Sequence, residues 1–151
     1  MKELHTEIEI NASAERVWKV LTDFSAYPEW NPFVREIDGQ LETGARLKVL
    51  LQPPGGKGMT VKPKVLKVEP NREFRWLGHL LIPGVFDGEH FFIIETLDLN
   101  RVRFIHGEIF RGILVPLFGK MLDGSTRQGF EAFNQALRTR VEEDSPTNEK
   151  D

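Results

Sequence analysis

Three ionisable residues, His90, His106 and Glu108, lie in two neighbouring segments that alternate polar and apolar residues. An imidazole titrates near neutral pH and a nearby carboxylate raises its pKa, so this set has the chemistry to accept and donate a proton. The same groups could orient the polar end of an otherwise apolar ligand, or pair across two strands with no ligand at all. They also match the donor set of a facial metal triad, but the sequence shows no carboxylates to support the histidines, so no metal is expected.

The two segments are predicted to form a β-hairpin. Every second residue of an extended chain faces the same side, which puts all three ionisable residues on the face that also carries Phe92. The turn signal over residues 98–101 joins the strands. A hairpin about this turn places His90 opposite Glu108 and Phe92 opposite His106. The sequence therefore predicts a polar cluster on an apolar inner face.

The remaining elements predict an α+β fold. Residues 4–10 alternate as a strand, Ser13 caps a helix over residues 14–22, and prolines limit residues 24–33 to a second short helical turn. Further strands are predicted near 34–40, 45–52, 59–69, 72–80, 86–97 and 101–112. A long amphipathic helix begins near Pro116, with a kink at residues 123–124. A seven-stranded antiparallel sheet has more apolar surface than a short helix covers, so it must curl around the long one.

Length and composition narrow the classes of function. With 151 residues, one domain over residues 1–143 and a frayed polar tail over 144–151 are expected. A net charge of −3 argues against nucleic acid as a partner. The absence of cysteine excludes disulfides and thiolate chemistry. No membrane-length apolar run or signal-peptide pattern is visible, which predicts a cytoplasmic protein without integral membrane association.

Aromatic and small residues predict a ligand cavity between the helix and the sheet. Ser125 and Gly129 lie on the apolar helix face between Phe118 and Phe133, where small side chains either allow close packing or leave space. Each aromatic residue is also suited to an ordinary core position. The predicted ligand-binding set is Trp30, Phe33, Trp76, His90, Phe92, Phe104, His106, Glu108, Phe110, Phe118, Leu122, Ser125, Gly129 and Phe133. No cofactor is expected.

Two loops and two further histidines complete the candidate features. The apolar turn over residues 80–86 suits a ligand gate, a dimer contact or a tip that touches a membrane. The Pro-Gly segment over residues 53–58 is expected to be an ordinary long turn, with a lid as the alternative. His5 and His79 fall on the outer parity of their strands and are expected to be solvated.

Several motifs together carry a family resemblance over nearly the whole chain. They are Ser13–Trp18, Tyr27–Phe33, Pro53–Gly56, Gly88–Phe92, His106–Gly112, Val115–Leu117 and the terminal helix. This combination resembles the START/Bet v 1-like (SRPBCC) superfamily and, more narrowly, its bacterial polyketide cyclase/dehydrase-like members. The resemblance implies a helix-grip fold with a cavity between the long helix and the curved sheet. It implies no single reaction, because related proteins include lipid carriers, hormone receptors, cyclases, hydrolases, oxygenase subunits and chaperone co-activators.

Three functions follow as predictions. The first is binding of a small hydrophobic molecule, lipid-like or aromatic and polyketide-like, whose polar end meets the ionisable cluster. The second is a cyclase or dehydratase in which His90 or His106 abstracts a proton from a poly-β-carbonyl chain, with Glu108 in the acid–base set. The third is a protein-interaction module that acts through the outer face of the sheet or the 80–86 turn, with a homodimer as one form.

Overall fold

The computed structural model describes residues 1–80 and 82–143, so the predicted tail over residues 144–151 lies outside the described residues. Strands and helices follow the predicted order. Their bounds are β1 (Lys2–Ile10), α1 (Ala14–Thr22), α2 (Tyr27–Trp30), β2 (Val34–Asp38), β3 (Lys48–Leu51), β4 (Met59–Val61), β5 (Lys64–Glu69), β6 (Glu73–Leu80), β7 (Phe86–Asp98), β8 (Arg101–Arg111), α3 (Gly119–Met121) and α4 (Arg127–Glu143).

The strands form two antiparallel sheets that are joined edge to edge. One sheet has the order β1-β8-β7-β6-β5 and the other the order β2-β3-β4. Backbone hydrogen bonds connect them, from Leu47 N to the Pro63 carbonyl at 2.9 Å and from Val65 N to the Ala45 carbonyl at 2.8 Å. The strand predicted over residues 59–69 is divided into β4 and β5 because Pro63 has no N–H to donate to the ladder. Over the described residues the two joined sheets therefore contain eight strands, where seven were predicted.

The hairpin that carries the ionisable residues has the predicted register. In β7 and β8, His90 pairs with Glu108 and Phe92 pairs with His106. The N-terminal strand β1 lies on the other side of β8, where Thr6 pairs with His106. Thr6 from the first strand and His106 from the last strand thus meet on one inner face.

Local sequence signals explain the first two helices. The Ser13 hydroxyl accepts a hydrogen bond from Arg16 N at 3.1 Å and caps α1, as predicted. The α1 helix buries Val17 and Leu21. The α2 helix is a single turn with Pro28 in its first turn, where the missing N–H costs no helical hydrogen bond.

The C-terminal helical region runs from Val115 to Glu143, but its hydrogen-bond pattern changes along the way. A 3₁₀ turn over Val115–Phe118 leads into α3, a π-helical segment covers Leu122–Thr126, and α4 follows. The irregularity predicted at residues 123–124 corresponds to this π-helical segment. Such insertions interrupt regular i to i−4 bonding and often occur beside functional sites.

The core lies between α4 and the concave face of the sheet. A single cluster of buried side chains extends from β1 to α4, and Phe130, Phe133, Leu137 and Val141 contribute the buried face of the helix. The α+β helix-grip architecture predicted from the sequence is confirmed. Among the described residues, no helix has the length and apolar character needed to cross a bilayer.

Candidate ligand-binding site

A cavity of about 140 Å³ lies between the concave sheet and the helical residues 118–130. Strands β3, β4, β6, β7 and β8 form one side, and α3, the π-helical segment and the start of α4 form the other. Its apolar lining includes Phe33, Leu51, Met59, Val61, Trp76, Leu80, Phe86, Phe110, Phe118, Met121, Leu122 and Phe130. Small-molecule sites commonly have this composition, with a few polar groups that fix orientation.

Glu108 and His90 supply the polar wall of the cavity. Glu108 Oε1 lies 3.5 Å from His90 Nδ1, and the Glu108 side chain is 18% exposed while that of His90 is 4% exposed. Gly88 lies beside them in the cavity wall, and a Cβ at that position would collide with Glu108 Oε2. The missing side chain of Gly88 is therefore what allows the carboxyl group to lie across β7.

A hydrogen-bonded chain extends from His90 into the core, away from the cavity. His90 Nε2 lies 2.6 Å from His106 Nε2, and His106 Nδ1 lies 2.9 Å from Asn134 Oδ1. Asn134 Nδ2 donates to Thr6 Oγ1 at 2.9 Å, and Thr6 Oγ1 donates to the carbonyl of His106 at 2.6 Å. These four side chains are all buried. They connect β7, β8, α4 and β1 through one polar network.

The backbone carbonyl of His106 fixes the direction of every bond in this chain. A carbonyl only accepts, so the single hydroxyl proton of Thr6 is used there and Thr6 must accept from the amide of Asn134. Asn134 Oδ1 then accepts from His106 Nδ1–H, which leaves His106 Nε2 as an acceptor in the neutral ring. His90 consequently donates through Nε2–H, and its Nδ1 presents a lone pair toward Glu108.

The direction of hydrogen-bond donation along this chain affects the protonation of Glu108. A carboxylate at Glu108 would face the lone pair of His90 Nδ1, so the arrangement favours a protonated carboxyl group. Burial raises the pKa of Glu108 to about 8. Burial and the adjacent His106 hold the pKa of His90 well below its usual value. Burial lowers the pKa of His106 to about 3, and hydrogen bonds to Asn134 and the backbone of Phe130 only partly offset that effect.

Aromatic rings hold both imidazoles in place and exclude water from them. The ring of Phe92 stacks on His90 with 4.5 Å between centroids, and the ring of Phe130 stacks on His106 at 4.3 Å. Phe133 approaches His106 from α4 at 4.5 Å. Apolar faces on the imidazoles disfavour their charged forms, which is the physical cause of the low histidine pKa values.

Half of the residues predicted to bind ligand lie in the cavity wall. These are Phe33, Trp76, His90, Glu108, Phe110, Phe118 and Leu122. The structure places His106 behind His90, in contact with Asn134 and away from the cavity lining. Five others, Trp30, Phe92, Phe104, Ser125 and Phe133, also lie outside this lining, because α4 covers the centre of the sheet and the cavity opens beside its start.

Gly129 has a different role from the open space that its small size suggested. It is buried, and a Cβ at this position would collide with the ring of Phe33. The glycine therefore allows Phe33 to pack against α4, where its ring lies 5.5 Å from that of Phe130. The space on this face of the helix is filled by a side chain of the protein.

Sequence analysis missed several residues of the site. Asn134 and Thr6 are buried polar residues that complete the hydrogen-bonded chain, and Gly88 makes room for the carboxyl group. A signal existed for two of them, since Thr6 occupies an inward position of β1 and Asn134 lies one helical turn after Phe130 on the buried face of α4. Thr126 adds a hydroxyl group to the cavity wall from the π-helical segment.

The exposed His79 lies at the mouth of the cavity, and three exposed apolar side chains lie outside the lining, on the segments that follow β6 and β8. Ile82, Ile113 and Leu117 are 64%, 78% and 75% exposed. His79 Nδ1 lies 2.7 Å from Asp87 Oδ1, and the Asp87 carboxylate accepts a hydrogen bond from Gly84 N at 3.0 Å. His79 is exposed, as predicted, and this pair ties the 82–85 turn to the end of β6.

The polar groups of the site bind one another. Within the part of the chain that the structure describes, no three His, Cys, Asp or Glu side chains are arranged to hold a metal ion. The two histidine nitrogens that point toward each other are 2.6 Å apart, which leaves no room for an ion between them.

Comparison with solved structures identifies the same fold in other proteins. A START superfamily protein from Mycobacterium smegmatis is 21% identical with a TM-score of 0.75, covering 95% of this chain and 99% of that one. The Zhui aromatase/cyclase from a Streptomyces species is 18% identical with a TM-score of 0.72, covering 94% of each chain. Norcoclaurine synthase from Thalictrum flavum, in complex with dopamine and hydroxybenzaldehyde, is 17% identical with a TM-score of 0.72, covering 95% of this chain and 88% of that one.

Comparison by sequence identifies the family. No curated protein matches this sequence. The family model described as polyketide cyclase / dehydrase and lipid transport matches residues 1–142. A match over nearly the whole chain, on a helix-grip fold with an apolar cavity, shows that this protein belongs to the polyketide cyclase / dehydrase and lipid transport family.

Proposed function

We propose that this protein binds a small, mainly apolar molecule in the cavity, with the polar group of that molecule against Glu108. One observation carries the proposal: an apolar cavity whose wall contains a buried imidazole paired with a partly buried carboxyl group. A buried polar pair at the edge of a cavity is costly unless its hydrogen-bonding capacity is used. A ligand whose polar atom reaches Glu108 would use the hydrogen-bonding capacity of Glu108 that the chain from His90 to Thr6 leaves unused.

The dimensions and lining favour a flat or slender ligand. Trp76, Phe86, Phe110 and Phe118 place aromatic faces around the space, and rings of this kind stack on planar molecules. The norcoclaurine synthase structure contains dopamine and hydroxybenzaldehyde, so this fold accommodates aromatic ligands in a distant relative.

The proposal is tested by identifying a bound molecule and then blocking its site. Native and denaturing mass spectra of the purified protein would reveal a co-purified ligand, and the fluorescence of Trp76 would follow binding of an added aromatic probe. Thr126→Phe fills the cavity from the helix side. Thr139→Phe makes the same change on an exposed position of α4 and is the matched control. We expect binding to be lost only in Thr126→Phe; equal binding by both variants would place the ligand elsewhere.

Acid–base catalysis of the cyclase or dehydratase type is the second candidate. The observation that favours it is a carboxyl group beside an imidazole at the surface of the cavity; burial raises the pKa of Glu108 to about 8 and holds that of His90 well below its usual value, so that both groups are neutral near pH 7. His90 would act as the base through Glu108: Oε2 accepts a proton from a carbon next to a ligand carbonyl while the Oε1 proton moves to His90 Nδ1. The reverse transfer would deliver a proton to the second carbonyl oxygen as the new carbon–carbon bond forms.

Turnover measurements separate the catalyst from the carrier. A short poly-β-carbonyl thioester is the probe, and its cyclised product is detected by absorbance and mass. Loss of turnover in both Glu108→Gln and His90→Gln, with retained binding of the probe, would support catalysis. If the wild-type protein binds the probe without turnover, the result would support ligand binding as the function and count against catalysis.

A further inference from the structure

We propose that the polar end of the cavity is a hydrogen-bond acceptor that selects uncharged, hydroxyl-bearing ligands over their carboxylate and ether counterparts. This inference rests on the proposed function, because it specifies which molecules the same cavity takes. The selected class comprises phenols and apolar alcohols.

The acceptor character comes from the fixed direction of the internal chain. Its last member, His90, presents a lone pair at Nδ1 to Glu108 Oε1, 3.5 Å away, and this favours a carboxyl proton on Oε1 over one on Oε2. Glu108 Oε2 lies over Gly88 in the cavity wall, and a proton on Oε1 leaves the lone pairs of Oε2 available. What a ligand meets is therefore a neutral acid group that accepts a hydrogen bond through Oε2.

The described lining offers no positive charge to an anionic ligand. No lysine or arginine is among the residues that line the cavity in the described part of the chain. The one titratable side chain besides Glu108 and His90 is His79 at the mouth, and it is already paired with Asp87. A carboxylate or phosphate would thus be desolvated without a counter-charge, which is strongly unfavourable.

A hydroxyl group satisfies the acceptor, whereas an ether oxygen cannot. An ether placed against Glu108 Oε2 would bring two acceptors together and leave both unmet, which costs more than the loss of an average hydrogen bond. The hydroxyl of Thr126 is a further neutral polar group in the wall and gives a ligand oxygen a second partner.

Three probes of nearly equal size test this selectivity: 2-naphthol, 2-methoxynaphthalene and 2-naphthoate, titrated into the full-length protein with Trp76 fluorescence and calorimetry as readouts. At pH 7 we expect 2-naphthol to bind about tenfold more tightly than the ether, the effect of one unmet buried hydrogen bond. We expect 2-naphthoate to bind at least about 100-fold more weakly than 2-naphthol, because an ordinary carboxyl group must first take up a proton. Lowering the pH to 5 should reduce the difference in affinity between 2-naphthol and 2-naphthoate.

Two variants of Glu108 connect the selectivity to the residue. Glu108→Gln reproduces the neutral acid, since its amide N–H can donate to His90 Nδ1 while its carbonyl oxygen accepts from the ligand, so the order of the three probes should persist. Glu108→Leu removes the acceptor, so 2-naphthol and the ether should become equal. If Glu108→Leu does not fold, the wild-type and Glu108→Gln titrations still decide the question.

The outcomes separate this inference from the function on which it rests. Equal binding of 2-naphthol and the ether by the wild-type protein, or tight binding of 2-naphthoate at pH 7, would overturn the selectivity while leaving a ligand-binding cavity. Failure of all three probes to bind would instead count against the proposed binding function itself. The preference for 2-naphthol, kept in Glu108→Gln, would support both.

Discussion

Replacing Glu108 by glutamine should make the protein more stable than the wild type, by an amount that grows as the pH rises. The folded state keeps the Glu108 carboxyl group protonated up to about pH 8, whereas in the unfolded chain it ionises near its ordinary value of 4.5. Between these values the folded state binds the extra proton, so wild-type stability falls as the pH increases. Glutamine has the same shape and no ionisation, so Glu108→Gln escapes this loss.

The size of the effect follows from the pKa difference. Each pH unit between 4.5 and about 8 adds about 1.4 kcal/mol to the stability advantage of Glu108→Gln. The advantage should be about 1 kcal/mol at pH 5, about 3 kcal/mol at pH 7 and level off near 5 kcal/mol above pH 8. The titratable groups that face the carboxyl group are His90 from β7, His106 behind it and His79 at the mouth. These histidines are identical in both proteins, so their own titration cancels in the difference.

Urea unfolding of both proteins at each pH unit from 5 to 9 measures this difference directly. Glu95→Gln is the matched control, because it removes an exposed carboxylate from the neighbouring strand β7, one that pairs with Arg103 of β8 at 2.6 Å. A difference between Glu108→Gln and wild type that does not change from pH 5 to pH 8 would refute a neutral Glu108. The same pH dependence in Glu95→Gln would show that the effect is not specific to the site.

Three further predictions concern the surroundings of the carboxyl group. Gly88→Ala should displace it, cost about 1–3 kcal/mol in urea unfolding and weaken 2-naphthol binding, whereas Gly124→Ala, with open space around its Cβ, should be neutral or slightly stabilising. Asn134→Leu should cost about 1–3 kcal/mol by leaving a buried donor unmet, and an unchanged unfolding midpoint would contradict the chain. Long-range proton–nitrogen NMR spectra should show the Nδ1–H form of His106 and the Nε2–H form of His90 from pH 5 to pH 8; the opposite forms would reverse the deduced direction.

The sequence was sufficient to predict the parts of the site that depend on local periodicity. The two-residue period and the turn at residues 98–101 fix which residues of β7 and β8 face each other, so the pairing of His90 with Glu108 was predictable. The cap at Ser13 and the change to helical period near Pro116 are local signals of the same kind.

The position of the cavity along that face was not predictable from periodicity. Inward parity is the same for His106 and Glu108, but α4 covers the first while the second lies near the open end of the sheet. The space at Gly129 is likewise filled by Phe33, a residue distant in the sequence, so periodicity did not indicate what occupies it. The partner of His106 is on α4, and no local pattern in the strands indicates it. The break at Pro63 was predictable in principle, since proline interrupts a ladder.

The bond between Thr6 and Asn134 joins residues 128 positions apart, and Thr6 reaches the carbonyl of His106 across 100 positions. Contacts between such distant residues carry the largest loop-closure entropy and depend on nearly complete assembly of the chain. Until the first strand and the last helix have both docked, nothing fixes which ring nitrogen of His106 carries its proton. A partly folded chain can therefore collect apolar molecules indiscriminately, whereas chemical discrimination arises in the last stage of folding. Selectivity for 2-naphthol over its ether, followed during refolding, would consequently report the docking of the two chain ends, separately from hydrophobic collapse.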